Sequence, residues 1–147
     1  IAPDHKFAIN HARERIARSW IALGDLEIAS EVAATITDAG IKTGTWWNIS
    51  MAYRDADKNI LAVKSGDEAR ASLANVNSAL DRVWLYCNQV HLLAARKDDT
   101  RALAAFSKAL KVVRGVRHSW TRAQALVRLV RAFAVLPGPL SSLKTVK

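Results

Sequence analysis

Glycine and proline are scarce in this sequence and leave long stretches of the chain uninterrupted. The breaks fall at Pro3, Gly24, Gly40, Gly44, Gly66, Gly115, Pro137 and Pro139. Between them, apolar residues recur at spacings of three and four, as in Trp46, Ile49 and Tyr53, which is typical of a helix with one buried face. No comparable alternation with a period of two occurs. The sequence therefore predicts an all-α protein.

Helix start and stop signals divide the chain into about seven helices. Ser65 and Glu68 form a potential capping box, and Ser119 is a potential cap for the last helix. The predicted helices span 4–23, 25–38, 45–64, 66–80, 81–97, 99–114 and 119–136. An unbroken heptad pattern from position 69 to 94 allows the fourth and fifth helices to be one long helix. Asp81 is the only candidate cap between them.

The connections between these helices are short, which makes neighbouring helices antiparallel. We therefore expect a stack of helical hairpins, with an up-down bundle as the alternative. A single helical-repeat domain is predicted over 1–136. The last residues, 137–147, follow a helix-stopping Pro137 and are predicted to form a flexible tail.

Two segments share the pattern of a helix, a turn and a second helix. Residues 16–29 contain a Gly24–Asp25 turn, and residues 89–109 contain Lys97–Asp98 at the corresponding place. The second segment continues with small, aromatic and small residues at Ala102, Phe106 and Ala109. This pattern resembles the tetratricopeptide (TPR) repeat, so the chain is expected to be a TPR-like α-solenoid with irregular repeats.

The register of these repeats is irregular. The corresponding large packing residues Trp20, Leu93 and Phe133 are 73 and 40 residues apart, whereas the TPR family repeats every 34 residues. Residues 45–80 fit two registers. One pairs Trp20 with Tyr53, and the other pairs the Gly24–Asp25 turn with Gly66–Asp67.

Charge is distributed unevenly along the chain. The first 99 residues carry twelve Lys or Arg and thirteen Asp or Glu, but no acidic residue follows Asp99. Ten basic residues lie after it: Arg101, Lys108, Lys111, Arg114, Arg117, Arg122, Arg128, Arg131, Lys144 and Lys147. A field of one sign attracts anionic partners, so this third of the chain is predicted to contact one.

Two surfaces are candidates for that contact. The TPR resemblance implies a concave groove into which Arg18, His91 and Arg131 point, each two residues before a large packing residue. Arginine suits carboxylates there because its planar fork donates two parallel hydrogen bonds.

The second candidate surface lies on the last two helices. Trp120, Gln124, Arg128 and Arg131 fall within about 80° of arc, opposite an apolar stripe predicted to be core: Leu126, Leu129, Val130 and Phe133. On the preceding helix, Arg101, Lys108 and Lys111 oppose Leu103, Phe106 and Leu110. Together these basic residues are expected to form one basic wall. Trp84 lies off the apolar stripe of its own helix and is expected to be partly exposed.

Several chemistries find no support in the sequence. It contains no phosphate-binding glycine loop and no His-Glu-x-x-His motif. Cys87 is the only cysteine, which excludes an intramolecular disulfide and a multi-cysteine metal site. His91 follows Cys87 by four residues, but the pair is interpreted as a packed thiol beside a surface histidine. We therefore expect no enzyme activity, cofactor or metal.

No apolar run approaches the ~20 residues that cross a bilayer, and no signal peptide is recognised, so a cytoplasmic protein is favoured. The expected function is a scaffold or adaptor that binds an acidic protein segment, alone or within a larger assembly. Nucleic-acid binding through phosphate contacts with the same basic surface is the alternative. The sequence does not indicate an oligomeric state.

Overall fold

The structure, a computed structural model, describes residues 3–138. Within that range the chain forms seven helices and no strand: α1 Pro3–Leu23, α2 Leu26–Ala34, α3 Ala39–Asp55, α4 Asn59–Leu73, α5 Ala79–Ala95, α6 Asp99–Gly115 and α7 Ser119–Val135. The prediction of an all-α fold is confirmed. Most of the predicted tail, from Pro139 onward, lies outside the described residues.

The contacts divide the chain into two compact units. Unit 1 extends to Val76 and contains α1 to α4, and unit 2 starts at Asn77 and contains α5 to α7. In unit 1, α1 packs on α2, α3 packs on α4, and α3 also contacts α1 and α2. In unit 2, α5 packs on α6, and α7 contacts both. Adjacent helices are thus packed as pairs, while the prediction of a single domain stays a prediction.

One type of turn closes the three hairpins of the described chain. Gly24, Asp57 and Lys97 have positive φ angles of 83°, 58° and 57°. The N–H of the residue that follows each one donates a hydrogen bond to the carbonyl oxygen five positions earlier. The three acceptors are Trp20 at 2.9 Å, Tyr53 at 2.8 Å and Leu93 at 3.0 Å. This is the hydrogen-bond pattern of a Schellman motif, which satisfies the last carbonyls of a helix.

These turns decide between the two registers. Trp20 and Tyr53 occupy the same place in their turns, so the register that pairs them is correct. The alternative is wrong because Gly66 and Asp67 lie inside α4. The capping box predicted at Ser65 lies inside the same helix, since α3 ends at Asp55 rather than at residue 64.

The links between hairpins are also equivalent to one another. Each link contains a buried apolar residue two positions before the N-cap of the next helix. The side chain of that N-cap accepts a hydrogen bond from the backbone N–H three residues later. The buried residues are Ile36, Val76 and Val116, and the caps are Asp38, Ser78 and His118. The predicted caps at Asp81 and Ser119 are therefore wrong. The link around Val76 separates α4 from α5, so the alternative of one long helix is excluded.

From α3 onward the chain repeats every 40 residues. Asp38, Ser78 and His118 have this spacing, as do Asp57, Lys97 and Pro137. Pro137 thus occupies the position that has positive φ in the other hairpins. Its ring restricts φ to about −65°, so the same turn cannot follow α7, which ends at Val135.

Small residues line the buried face of the second helix in each complete repeat. They are Ala62, Ser65 and Ala69 on α4, and Ala102, Ala105 and Ala109 on α6. In the first of these hairpins the Ser50 hydroxyl donates a hydrogen bond to the backbone oxygen of Ala62 at 2.7 Å. The absence of bulk on the second helix lets the two backbones approach closely.

Candidate binding surface

Unit 2 concentrates the positive charge of the described chain. Residues 77–138 contain eleven Lys or Arg and three Asp, whereas residues 3–76 contain nine basic and ten acidic residues. In unit 2, Arg101 pairs with Asp98 at 3.2 Å, and Arg122 Nε donates a hydrogen bond to the Val116 carbonyl at 2.8 Å. Within residues 102–138 six further cations have neither an ion-pair nor a hydrogen-bond partner: Lys108, Lys111, Arg114, Arg117, Arg128 and Arg131.

Helix α7 exposes most of the stripe that was predicted to be core. Leu129 is buried, but Val130 is 67 % exposed, Phe133 49 % and Leu126 44 %. The buried face consists of Ala125, Leu129 and Ala132. The prediction of a core stripe was wrong because α5 and α6 contact α7 on this narrower face.

The residues 40 and 80 positions earlier, at the equivalent places of the repeat, do not share this exposure. Tyr53 and Leu93, at the position of Phe133, are both buried, and so are Ser50 and Val90, at the position of Val130. The face of the first helix that is covered in the α3–α4 and α5–α6 hairpins is therefore open in α7.

A contact between two aromatic rings joins this open face to α6. The ring centroids of Phe106 and Phe133 are 5.8 Å apart. Leu103 and Leu110 share the Phe106 side of α6, and Leu126 and Val130 share the Phe133 side of α7, because residues three, four or seven apart lie on one helix face. We call these six residues the apolar strip: Leu103, Phe106, Leu110, Leu126, Val130 and Phe133.

The predicted basic residues lie on the faces of α6 and α7 that point away from the apolar strip. Each is about 140° to 160° around its helix from the phenylalanine at the contact. The α6 row consists of Arg101, Lys108 and Lys111, and the α7 row of Arg128 and Arg131, all exposed. Both rows are thus exposed on the helix faces opposite the apolar strip, and their joining into one basic wall stays a prediction.

The other residues predicted on α7 lie beside its basic row. Trp120 is 67 % exposed, and Gln124 is exposed one turn further along. Both share the α7 face that carries Arg128 and Arg131, because the four residues follow one another at spacings of four, four and three. The surface thus offers apolar, amide and guanidinium groups side by side.

Helix α5 carries the remaining predicted residues of unit 2. Trp84 is partly exposed, as expected, and His91 is exposed, whereas Cys87 is buried. Burial raises the pKa of the Cys87 thiol, and the positive charge of Arg128 lowers it by a smaller amount. A reactive thiolate is therefore disfavoured at neutral pH.

Arg18 belongs to unit 1, whereas the other predicted site residues belong to unit 2. Its guanidinium pairs with the Glu14 carboxylate at 2.8 Å, and the same carboxylate contacts His11 at 3.2 Å. The equivalent residue in the next hairpin, Met51, is buried. The groove lined by Arg18, His91 and Arg131 stays a prediction.

Comparisons with protein-family models, with curated proteins and with solved structures give no match to this chain. No helix in the described range has the length and hydropathy needed to span a membrane. Among the same residues, no three His, Cys, Asp or Glu side chains come together as metal ligands would.

Proposed function

We propose that this chain is a non-enzymatic, TPR-like helical-repeat scaffold whose unit 2 binds an acidic segment of another protein. The observation that carries the proposal is the partly exposed apolar strip, on two helices whose opposite faces carry the exposed basic rows. Contiguous exposed apolar surface rimmed by polar residues marks interaction sites. Cations without acidic neighbours attract an anionic partner and guide it to the surface.

The two components act on different stages of binding. The basic rows raise the rate of encounter and select against basic partners. The apolar strip supplies affinity, at roughly 25 cal/mol for each Å² of apolar surface removed from water. A protein segment offers both acidic and apolar groups, which is why it fits this surface better than a partner that is only charged.

The repeated hairpin turn supports the scaffold part of the proposal. Helical-repeat proteins present extended surfaces built from stacked hairpins, and they commonly bind other proteins through them. The TPR resemblance implies the same use. The small residues at Ala102 and Ala109 on α6 are buried, as the resemblance expects of the second helix.

Nucleic acid is the second candidate, favoured by the six unpaired cations and the exposed Trp120. A phosphate backbone would contact the cations, and a base would stack on the indole. Such binding weakens steeply with salt, by roughly 0.9 log units per log unit of salt for each phosphate contacted. It makes no use of the apolar strip.

Fluorescence anisotropy with three labelled probes tests the proposal. The probes are a Glu- and Leu-containing peptide, a duplex DNA and a single-stranded RNA. The Arg128→Glu, Arg131→Glu variant is compared with Arg15→Glu, Lys64→Glu, which makes the same charge change at exposed positions of unit 1. We expect saturable binding of the peptide, weakened at least about tenfold by the first variant, or roughly 1.4 kcal/mol, and retained by the second.

Binding of the nucleic acids but not of the peptide would establish the second candidate instead. Equal affinity of both variants for the peptide would contradict the role of the basic rows. Circular dichroism of each variant confirms that the helices are intact before affinities are compared.

A further inference from the structure

We propose that the segment bound by unit 2 is an acidic amphipathic helix, which packs on the apolar strip in the position of a missing second helix. The inference rests on the proposed function and specifies where and in what form the partner binds. It follows from the repeat register, the packing of the other hairpins and the charge of unit 2.

The register identifies the vacant position. In the two preceding repeats the residues equivalent to Val130 and Phe133 are buried. They are Ser50 and Tyr53 in α3, and Val90 and Leu93 in α5. Each of those helices has a second helix packed on it, α4 and α6 respectively. The open face of α7 thus corresponds in position to the face that a second helix covers in α3 and α5.

The chain does not supply that helix through the turn it uses elsewhere. The turn requires positive φ at the position of Pro137, and proline cannot adopt it. Residues 139–147 carry Lys144 and Lys147 and no acidic residue, so their charge matches that of the surface rather than complementing it. A second helix therefore does not follow α7 through this turn, and the occupant proposed here is the acidic segment named in the proposed function.

The other hairpins indicate the apolar side of the occupant. Each second helix buries three small residues. They are Ala62, Ser65 and Ala69 in α4, and Ala102, Ala105 and Ala109 in α6. These positions have the spacing i, i+3 and i+7. A helix with Ala or Ser at that spacing would approach α7 as closely as α4 approaches α3.

Charge indicates the residues beside that stripe. Lys108, Lys111, Arg128 and Arg131 are exposed, and they give the surroundings of the apolar strip a positive charge. Glu or Asp flanking the small residues would be attracted by this positive charge. A second copy of unit 2 placed on the same strip would instead bring cation against cation, which is destabilising.

The test uses a synthetic helix of 17 residues, the length of α7. It carries Ala at i, i+3 and i+7 with Glu beside each Ala. A control peptide has the same composition in an order that destroys the stripe. Fluorescence anisotropy gives the affinity, and circular dichroism reports helix formed on binding. We expect the striped peptide to bind at least about tenfold more tightly.

Two protein variants locate the contact. Leu126→Ser, Val130→Ser changes exposed residues of the apolar strip without changing charge. The matched control is Ile60→Ser, Val63→Ser, at exposed apolar residues of α4. Because all four side chains are exposed, both variants are expected to fold. The strip variant should lose at least about tenfold in affinity for the striped peptide, and the α4 variant should bind like the wild type.

The outcomes separate this inference from the proposed function. Equal binding of the two peptides, or full binding by the strip variant, overturns the inference, while weakening by Arg128→Glu, Arg131→Glu leaves the proposed function standing. Failure of both peptides to bind the wild type overturns both. A wild-type dimer in sedimentation that Leu126→Ser, Val130→Ser dissociates would identify a second copy as the occupant and also overturn the inference.

Discussion

The carboxamide of Asn10 ties α1 to the segment between α2 and α3 through Thr37. Asn10 Oδ1 accepts the backbone N–H of Thr37 at 2.9 Å, and Asn10 Nδ2 donates to the Thr37 hydroxyl at 3.2 Å. Asn10 is only 5 % exposed. A polar side chain at a buried helix position therefore satisfies the backbone of the link to the next hairpin.

Replacing Asn10 by Ala should destabilise the protein by about 1–3 kcal/mol, because the two hydrogen bonds between the buried Asn10 side chain and Thr37 are lost. The free energy of unfolding is measured by urea denaturation followed by circular dichroism. Ser19→Ala is the control, since Ser19 is exposed and its hydroxyl bonds only to the Arg15 carbonyl within α1. Equal stability of the two variants would contradict the role assigned to Asn10.

Gly24→Ala should cost about 1–2 kcal/mol, because φ at this position is 83° and an L side chain is strained there. No atom lies within 4 Å of the Cβ that would be added, so the cost is that of the backbone alone. Gly115→Ala also meets open space, but its φ is not positive. It should leave stability unchanged or raise it by up to about 1 kcal/mol. Thermal unfolding compares the two, and a loss of similar size in both would refute the explanation.

Lys97 is strained at its φ of 57°, whereas Gly24 occupies the equivalent turn position without such strain because glycine has no side chain. Lys97→Gly should therefore raise the free energy of unfolding of unit 2, by roughly 0.5–1 kcal/mol. Lys97→Pro should prevent the α5–α6 turn and lower it by about 3 kcal/mol or more. Hydrogen exchange of the α5 and α6 amides localises the effect. A Lys97→Pro protein with native protection in both helices would contradict the account of Pro137 as well.

Burial raises the pKa of Cys87 above its ordinary value of 9.0, so the folded state holds this proton more tightly than the unfolded state does. The resulting stabilisation is complete below pH 9 and is lost as the pH rises through the folded-state pKa. The difference in free energy of unfolding between wild type and Cys87→Ala should therefore shrink above pH 9. Tyr86 titrates in both proteins and cancels from the difference. A difference that stays constant up to pH 11 would contradict burial as the cause.

The helical class and most helix positions followed from periodicity, but the α3–α4 turn did not. Glycine marks the positive-φ position at Gly24, whereas Asp57 and Lys97 occupy it in the other hairpins. Without a glycine the turn left no clear signal, and the predicted helix continued to residue 64. The Schellman hydrogen bonds become visible only when the backbone is known.

The basic residues of the binding surface could be identified from the sequence, but the apolar strip could not. Periodicity reports that Leu126, Val130 and Phe133 share a helix face. It does not report whether another helix covers that face. The signal that could have revealed the exposure was Pro137, which stands 40 residues after Lys97 and blocks the turn that would return a helix onto α7.

Because the links share one backbone geometry, a whole hairpin could be added to the chain without altering the links on either side of it. The N-cap residues Asp38, Ser78 and His118 have φ between −74° and −71° and ψ between 121° and 123°. A duplication of residues 79–118 would place a new α5 after the His118 cap, in the backbone geometry that Ser78 now provides. Lengthening by whole 40-residue units would therefore preserve every junction, and the copied hairpin would carry Lys97 rather than proline at its turn.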